Sequence, residues 1–119
     1  MKQVSWGASG LKVPAVTLGC MRLEALNAAQ AAAHIEKAVS LGITFFDHAD
    51  IYGQGRCESL FADALAQTSL KREDLWIQSK CGIVSGVCYN FDKDHILTAT
   101  EGILKRLNVE YLDSLLLHR

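Results

Sequence analysis

Asp47, His48, Asp50 and Tyr52 directly follow a short apolar run at residues 43–46. Carboxylate, imidazole and phenol groups can transfer protons and hold polar substrate atoms. Apolar and β-branched residues in such a run are typical of a strand that is buried on both faces. Parallel α/β folds place their active sites at the carboxyl ends of such strands, because the loops that leave them surround a crevice. We therefore expect a site at Asp47 and Tyr52, with helix capping by the acids as the structural alternative.

Two further ionisable groups follow later apolar runs. Lys80 comes after residues 75–79, and His118 comes after residues 111–117. A tyrosine has an ordinary pKa of about 10, so it transfers protons poorly at neutral pH unless a nearby cation stabilises its phenolate. Lys80 would be that cation, and a carboxylate beside it would keep the ammonium charged and oriented. His118 would then orient a polar substrate atom.

Strand-like and helical patterns alternate along the chain. The predicted strands end near Gly19, Asp47, Lys80 and His118. The predicted helices cover residues 27–41, 58–68 and 92–107. Strict alternation of this kind predicts an α/β fold with a parallel sheet, whose strands all end at the same edge. The four groups at the strand ends should therefore lie close together.

Cap and turn residues set the limits of these elements. Asn27 and Gln30 have the spacing of a capping box, and Asp92 is a plausible N-cap for the last helix. Asn108 is a typical helix stop. Two short strand-like runs, 4–6 and 11–13, flank a glycine-containing turn and predict a β-hairpin before the first strand of the sheet, at residues 15–18.

Composition narrows the class of protein. The chain has 119 residues, of which 50% are hydrophobic and 21% charged, as expected of one globular domain spanning residues 1–119. A net charge of -1 without a basic cluster argues against nucleic acid or an anionic membrane as partner. No apolar run approaches the length of a membrane span, so a cytoplasmic protein is expected. The four cysteines show no CxxC spacing, which favours free thiols over bridges or zinc.

Three motifs carry a resemblance to a known family. They are FDHADIYG at residues 46–53, SK at 79–80 and LLLHR at 115–119. With the opening hairpin and the segment LGCM at residues 18–21, they resemble the aldo-keto reductases, (β/α)8-barrel enzymes that reduce carbonyls with NADPH. The chain looks closest to bacterial members whose fourth strand ends in His-Arg.

The resemblance implies a catalytic tetrad of Asp47, Tyr52, Lys80 and His118. Hydride would pass from the nicotinamide to the carbonyl carbon of a small-molecule substrate. Tyr52, with its pKa lowered by Lys80, would protonate the oxygen, which His118 would hold.

The same resemblance implies that the loop of Gly19, Cys20 and Met21 lies against the nicotinamide of NADPH. It also bears on the extent of the fold, because a full barrel of this type needs about 250 residues. We therefore expect the N-terminal half of a TIM-type barrel, four βα units after a hairpin, in a truncated chain that is inactive alone. The open edges of such a half-barrel would favour self-association.

Two other functions fit parts of the pattern. His48 and Asp50 could be metal ligands of a barrel hydrolase that uses metal-activated water, since alternate residues of a strand point to one side. A half-barrel could also be a non-catalytic interaction module that dimerises.

Overall fold

A parallel sheet of four strands with helices between them is the frame of the molecule. The computed structural model describes residues 1–119. The strands are β1 (Gln3–Ser5), β2 (Lys12–Pro14), β3 (Leu18–Gly19), β4 (Phe45–Asp47), β5 (Trp76–Cys81), β6 (Ile83–Val84), β7 (Cys88–Tyr89) and β8 (Ser114–Leu117). The helices are α1 (Ala28–Ser40), α2 (Arg56–Leu65) and α3 (Lys93–Leu107).

The sheet has the strand order β3-β4-β5-β8, and all its neighbours run parallel. A helix separates each strand from the next one in the sheet, so the chain repeats βαβ units. Asp47 lies opposite Gly19 on one side and opposite Gln78 on the other. The predicted parallel α/β architecture is confirmed, and the carboxyl ends of the strands share one edge.

The two faces of the sheet have different environments. One face packs against the helices in a core of 14 buried residues that includes Phe46, Phe61 and Ile77. On the other face, the indole of Trp6 packs edge-on against Phe45 and Trp76, with ring centroids 5.4 and 5.5 Å away. The antiparallel hairpin of β1 and β2, predicted from its turn, delivers this indole.

The helix ends follow the cap residues. In α1 the Asn27 side chain accepts from the Gln30 amide at 2.9 Å, and the Gln30 side chain accepts from the Asn27 amide at 3.0 Å, which confirms the capping box. Asn108 ends α3 in the left-handed conformation, with φ of 53°. Asp92 occupies the N-cap of α3, but its side chain makes no capping hydrogen bond.

Some predicted bounds were wrong. The first strand of the sheet covers only Leu18–Gly19 instead of residues 15–18, because the Ala15 amide donates to the Lys2 carbonyl and so belongs with the hairpin. Helix α2 ends at Leu65 instead of residue 68. There the Thr68 hydroxyl donates to the Leu65 carbonyl at 2.8 Å and turns the chain. The loop after β5 also contains the small β6–β7 hairpin, which the sequence did not predict.

Candidate active site

Lys80 is the centre of the hydrogen bonds at the carboxyl edge of the sheet. Its Nζ donates to Asp47 Oδ2 at 2.8 Å, to the His48 carbonyl at 2.9 Å and to Tyr52 Oη at 3.1 Å. An ammonium has three donor hydrogens, so these partners occupy all of them and fix its direction. The side chain of Lys80 is 13% exposed. Burial by itself lowers the pKa of Lys80, but the hydrogen bonds and charges of Asp47 and Tyr52 outweigh it and raise that pKa, which keeps the ammonium charged.

Asp47 is held on both of its carboxylate oxygens. Oδ2 accepts from Lys80, and Oδ1 accepts from Gln78 Nε2 at 2.7 Å. The residue ends β4, and its carbonyl accepts from the Cys20 amide at 2.9 Å. Backbone and side chain are therefore both anchored, so the carboxylate has a defined direction.

Tyr52 stands at the start of a tight loop with unusual backbone geometry. Gly53, Gln54 and Gly55 all have positive φ, of 56°, 56° and 89°. At Gly53 a Cβ atom would lie 2.6 Å from a carboxylate oxygen of Glu24, so a side chain there would require Glu24 to move. Gln54 takes the same conformation without being a glycine, a strained state that is frequent at functional sites. This loop places the Tyr52 hydroxyl beside the Lys80 ammonium.

His118 follows β8 and completes the group. Its amide donates to the Cys81 carbonyl at 2.8 Å, and its ring lies edge-on to the ring of Tyr52 with centroids 6.1 Å apart. Burial, followed by the positive charge of Lys80, lowers the pKa of His118. The imidazole is therefore neutral at pH 7, and a neutral imidazole can hold an oxygen by a hydrogen bond. The structure thus brings together the side chains of all four predicted tetrad residues.

The predicted cofactor loop lies next to this group. Gly19 is exposed and directly opposite Asp47, and a Cβ there would meet nothing within 4 Å. Met21 is 54% exposed, whereas the side chain of Cys20 is completely buried. Burial, and after it the charge of Asp47, raises the pKa of the Cys20 thiol, so it is a neutral core group. Gly19 and Met21 thus leave an open surface beside Asp47, where the buried Cys20 can contribute only its backbone.

The His48 and Asp50 pair does not form the metal site that one alternative required. The chain leaves strand geometry after Asp47, so the side chains do not alternate as assumed. The His48 ring is fully buried and packs edge-on against Phe61, with centroids 4.5 Å apart. Burial raises the pKa of Asp50, an effect that Arg106 only partly offsets. Nowhere in residues 1–119 do three His, Cys, Asp or Glu side chains group as metal ligands.

Behind Lys80, a buried acid joins three elements. Glu58 of α2 is completely buried, and its two oxygens accept from Ser79 Oγ and from Arg106 Nε, both at 2.7 Å. Burial raises the pKa of Glu58, although both hydrogen bonds oppose this effect. Ser79 immediately precedes Lys80, so this network fixes β5 on the face opposite the site.

Sequence reasoning missed Gln78 and Glu58. Gln78 had only a partial signal, because alternation along β5 puts it on the same face as Lys80, whereas its position opposite Asp47 depends on a strand register that the sequence does not show. Glu58 had none, since an acid in the first turn of a helix normally lies in solvent and interacts with the helix dipole.

An acid, a phenol, an ammonium and an imidazole thus meet at the carboxyl edge of a parallel α/β sheet. The model of the aldo/keto reductase family matches residues 15–119. The chain belongs to the aldo/keto reductase family, and the resemblance inferred from its motifs is confirmed.

Two bacterial relatives are named oxidoreductases. The uncharacterized oxidoreductase YcsN of Bacillus subtilis is 41% identical over 123 residues, with 94% of this chain and 41% of the relative covered. Oxidoreductase YdhF of Escherichia coli is 41% identical over 101 residues, with 79% of this chain and 34% of the relative covered. The chain thus spans between about one third and two fifths of the length of these relatives.

Solved structures agree on the fold. The thermostable aldo-keto reductase Tm1743, in complex with the inhibitor epalrestat, superposes with a TM-score of 0.85 at 29% identity, covering 99% of this chain and 43% of that one. The holo form of aldo-keto reductase AKR11C1 from Bacillus halodurans gives 0.79 at 30% identity, covering 98% and 40%. The predicted fold class, a half-barrel of the TIM type, is confirmed. None of the helices in the structure is both long and apolar enough to cross a membrane.

Proposed function

We propose that this chain supplies the acid-base groups of an NADPH-dependent carbonyl reductase. The observation that carries the proposal is the 3.1 Å hydrogen bond from Lys80 Nζ to Tyr52 Oη, at the carboxyl edge of the sheet. A fixed ammonium beside a phenol can stabilise the negative charge that is left on the phenol oxygen when its proton passes to a substrate. The family and the names of its relatives support oxidoreductase chemistry.

Each side chain then has a defined task. Bound NADPH would supply the hydride for the carbonyl carbon. Tyr52 Oη donates its proton to the carbonyl oxygen as negative charge develops there, and Lys80 stabilises the phenolate that remains. Asp47 keeps the ammonium in place, and the neutral imidazole of His118 holds the oxygen that receives the proton.

The cofactor side of the proposal rests on the loop after β3. Gly19 and Met21 would lie against the nicotinamide, and the Cys20 backbone would join them. NADPH rather than NADH, and an aldehyde or ketone as substrate, follow the family resemblance. The cytoplasm is the proposed compartment, as four unpaired cysteines suggest.

A chimaera tests the function, because the chain covers only part of each relative. Residues 1–119 replace the matched segment of YcsN, and NADPH oxidation with a small aldehyde is followed by absorbance. We expect turnover by the chimaera and a fall in kcat of about 10²- to 10⁴-fold for Tyr52→Phe, with little change in the KM for NADPH. Tyr111→Phe removes the same hydroxyl group from an exposed position and should leave kcat unchanged.

Two results would contradict the proposal. One is a folded chimaera that does not oxidise NADPH with any aldehyde or ketone. The other is a Tyr52→Phe chimaera with the kcat of its parent. The unmodified chain, measured in parallel, is expected to show no turnover by itself.

A further inference from the structure

We propose that Gln78 is a positioning residue of this site: its side-chain amide fixes the carboxylate of Asp47, which in turn aims the ammonium of Lys80 at Tyr52. The catalytic meaning of this inference rests on the proposed function. The hydrogen bonds that it concerns can be measured without turnover.

The backbone places Gln78 where it can act on Asp47. The two residues are direct partners across the parallel β4–β5 pair. Along β5, Ile77, Ser79 and Cys81 are buried on the helix side, so Gln78 lies on the opposite face together with Lys80. One strand therefore contributes both donors that hold the Asp47 carboxylate.

Gln78 and Lys80 each donate to a different oxygen of the Asp47 carboxylate. Gln78 Nε2 binds Oδ1 at 2.7 Å, and Lys80 Nζ binds Oδ2 at 2.8 Å. A carboxylate with one donor can rotate about its terminal bond, whereas a second donor on the other oxygen restricts that rotation. The direction of the Lys80 ammonium thus depends on a bond that Lys80 does not make itself.

The chemical type of residue 78 matters for this task. An amide donates a hydrogen bond without bringing a charge, so Asp47 keeps its full negative charge for Lys80. A cation at this position would compete with Lys80 for the carboxylate, and a carboxylate would repel it. Glutamine supplies the donor with neither effect.

The orientation of Asp47 also affects the hydrogen bond between Lys80 and Tyr52. Lys80 divides its three hydrogens among Asp47, the His48 carbonyl and the Tyr52 hydroxyl. If the carboxylate turns, the ammonium follows its strongest partner and the bond to the hydroxyl weakens. Loss of the Gln78 amide should therefore loosen the ammonium, although Gln78 does not touch it.

The test uses nitrogen-15 NMR of the chain and reads solvent exchange of the Lys80 ammonium hydrogens. We expect exchange to be about fivefold faster or more in Gln78→Met, which keeps the side-chain length but removes the donor. Gln67→Met changes an exposed glutamine in the same way and should leave the exchange rate as in the wild type. Thermal unfolding of both variants shows whether the fold is intact.

A second measurement needs no variant. In the wild type, the side-chain amide hydrogens of Gln78 should exchange about tenfold more slowly than those of Gln67, because one of them is bound to a carboxylate. Equal exchange at the two glutamines would overturn the inference. So would a folded Gln78→Met chain in which the Lys80 ammonium exchanges at the wild-type rate.

These outcomes are separate from those of the chimaera. An inactive chimaera with faster Lys80 exchange in Gln78→Met removes the reductase proposal and leaves the positioning role in place. An active chimaera with unchanged Lys80 exchange in Gln78→Met supports the reductase proposal and removes the positioning role of Gln78.

Discussion

His48 is an unusual residue because it is a fully buried imidazole whose ring nitrogens both lack a hydrogen-bond partner within the chain. Asp47, which precedes it, faces the site through Lys80, whereas the His48 ring enters the core against Phe61. Burial lowers the pKa of His48 to about 3, so the ring is neutral in the folded chain. Its backbone carbonyl, which accepts from Lys80, is the part that contributes to the site.

The buried imidazole predicts sensitivity to acid. The pKa of His48 is about 3 in the fold and about 6.5 in the unfolded chain, so the unfolded state binds the proton more tightly. The contribution of His48 to stability is therefore complete above pH 6.5 and is lost as the pH falls from there towards 3, at up to about 1.4 kcal/mol per pH unit. We expect His48→Leu to remove this slope, and urea unfolding between pH 4 and 7 measures it.

His34→Leu is the matched control, because His34 is exposed on α1. Its free energy of unfolding should follow the wild type across the same pH range. An acid slope in His48→Leu as steep as that of the wild type would contradict the assignment to this buried ring.

The positions of the site residues could be predicted only where the strand pattern fixes them. Asp47, Lys80 and His118 each lie at or next to the end of a strand, so the parallel topology alone brings them together. Tyr52 was found because it follows that edge closely in sequence. The part played by Gln78 depends on a rotamer and on the register of two strands that are far apart along the chain, and neither is visible in a local pattern.

Among the elements, α2, β5 and α3 are joined by the buried carboxylate of Glu58. Arg106 reaches it from α3 by passing over Gly55, where a Cβ atom would lie 2.9 Å from Arg106 Cδ. The Arg106 side chain therefore occupies the space that a side chain at residue 55 would take, and the left-handed φ of Gly55 also favours glycine. Gly55 also ends the loop that begins at Tyr52. The hydrogen bonds of Glu58 and the candidate active site are therefore connected through this glycine.

Substitution at Gly55 should be unusually costly for this reason. Gly55→Ala introduces left-handed strain of about 1–2 kcal/mol and also displaces Arg106, which leaves a buried carboxylate without its cation. We expect the free energy of unfolding to fall by at least about 3 kcal/mol in total, as measured by urea denaturation.

Gly10→Ala separates the two contributions. Gly10 has a φ of 77°, and a Cβ there would meet nothing within 4 Å, so only backbone strain applies. The loss at Gly55 should exceed the loss at Gly10 by the cost of the broken ion pair. Equal losses at the two glycines would show that Arg106 adapts without cost.

The ends of α1 and α3 could be predicted more closely than the ends of the strands. Asn27 with Gln30, and Asn108, act on the backbone next to them, so their effect is local and can be read from sequence. A strand extends only as far as its neighbour pairs with it, and that neighbour lies 30 or so residues away in a βαβ unit. The short β3, which pairs only with β4, follows from pairing of this kind.

In the whole molecule, β3 and β8 are the outer strands of the sheet. Edge strands expose unpaired N–H and C=O groups that can pair with another chain. At β8 the edge is also apolar, with Leu116 42% exposed and Leu117 58% exposed. A second copy of the chain has the same edge, so pairing of copies along β8 is the expected association.

This edge predicts concentration-dependent self-association of the chain. We expect sedimentation to show a larger average mass at higher concentration, and Leu117→Lys to shift the distribution towards monomer, because a charged edge residue opposes strand pairing. Leu97→Lys alters a leucine of similar exposure, 52%, on α3 and should not change the distribution. A chain that stays monomeric at all concentrations would contradict this use of the edge.

The position of the two indoles has a practical consequence for spectroscopy. The chain contains two tryptophans, Trp6 and Trp76, and they touch each other where the hairpin meets the sheet. Their fluorescence therefore reports a single event, the packing of the β1–β2 hairpin against the four-stranded sheet. A shift of that emission to longer wavelength, without loss of far-ultraviolet circular dichroism, would identify a state in which the hairpin has come away and the sheet and helices remain.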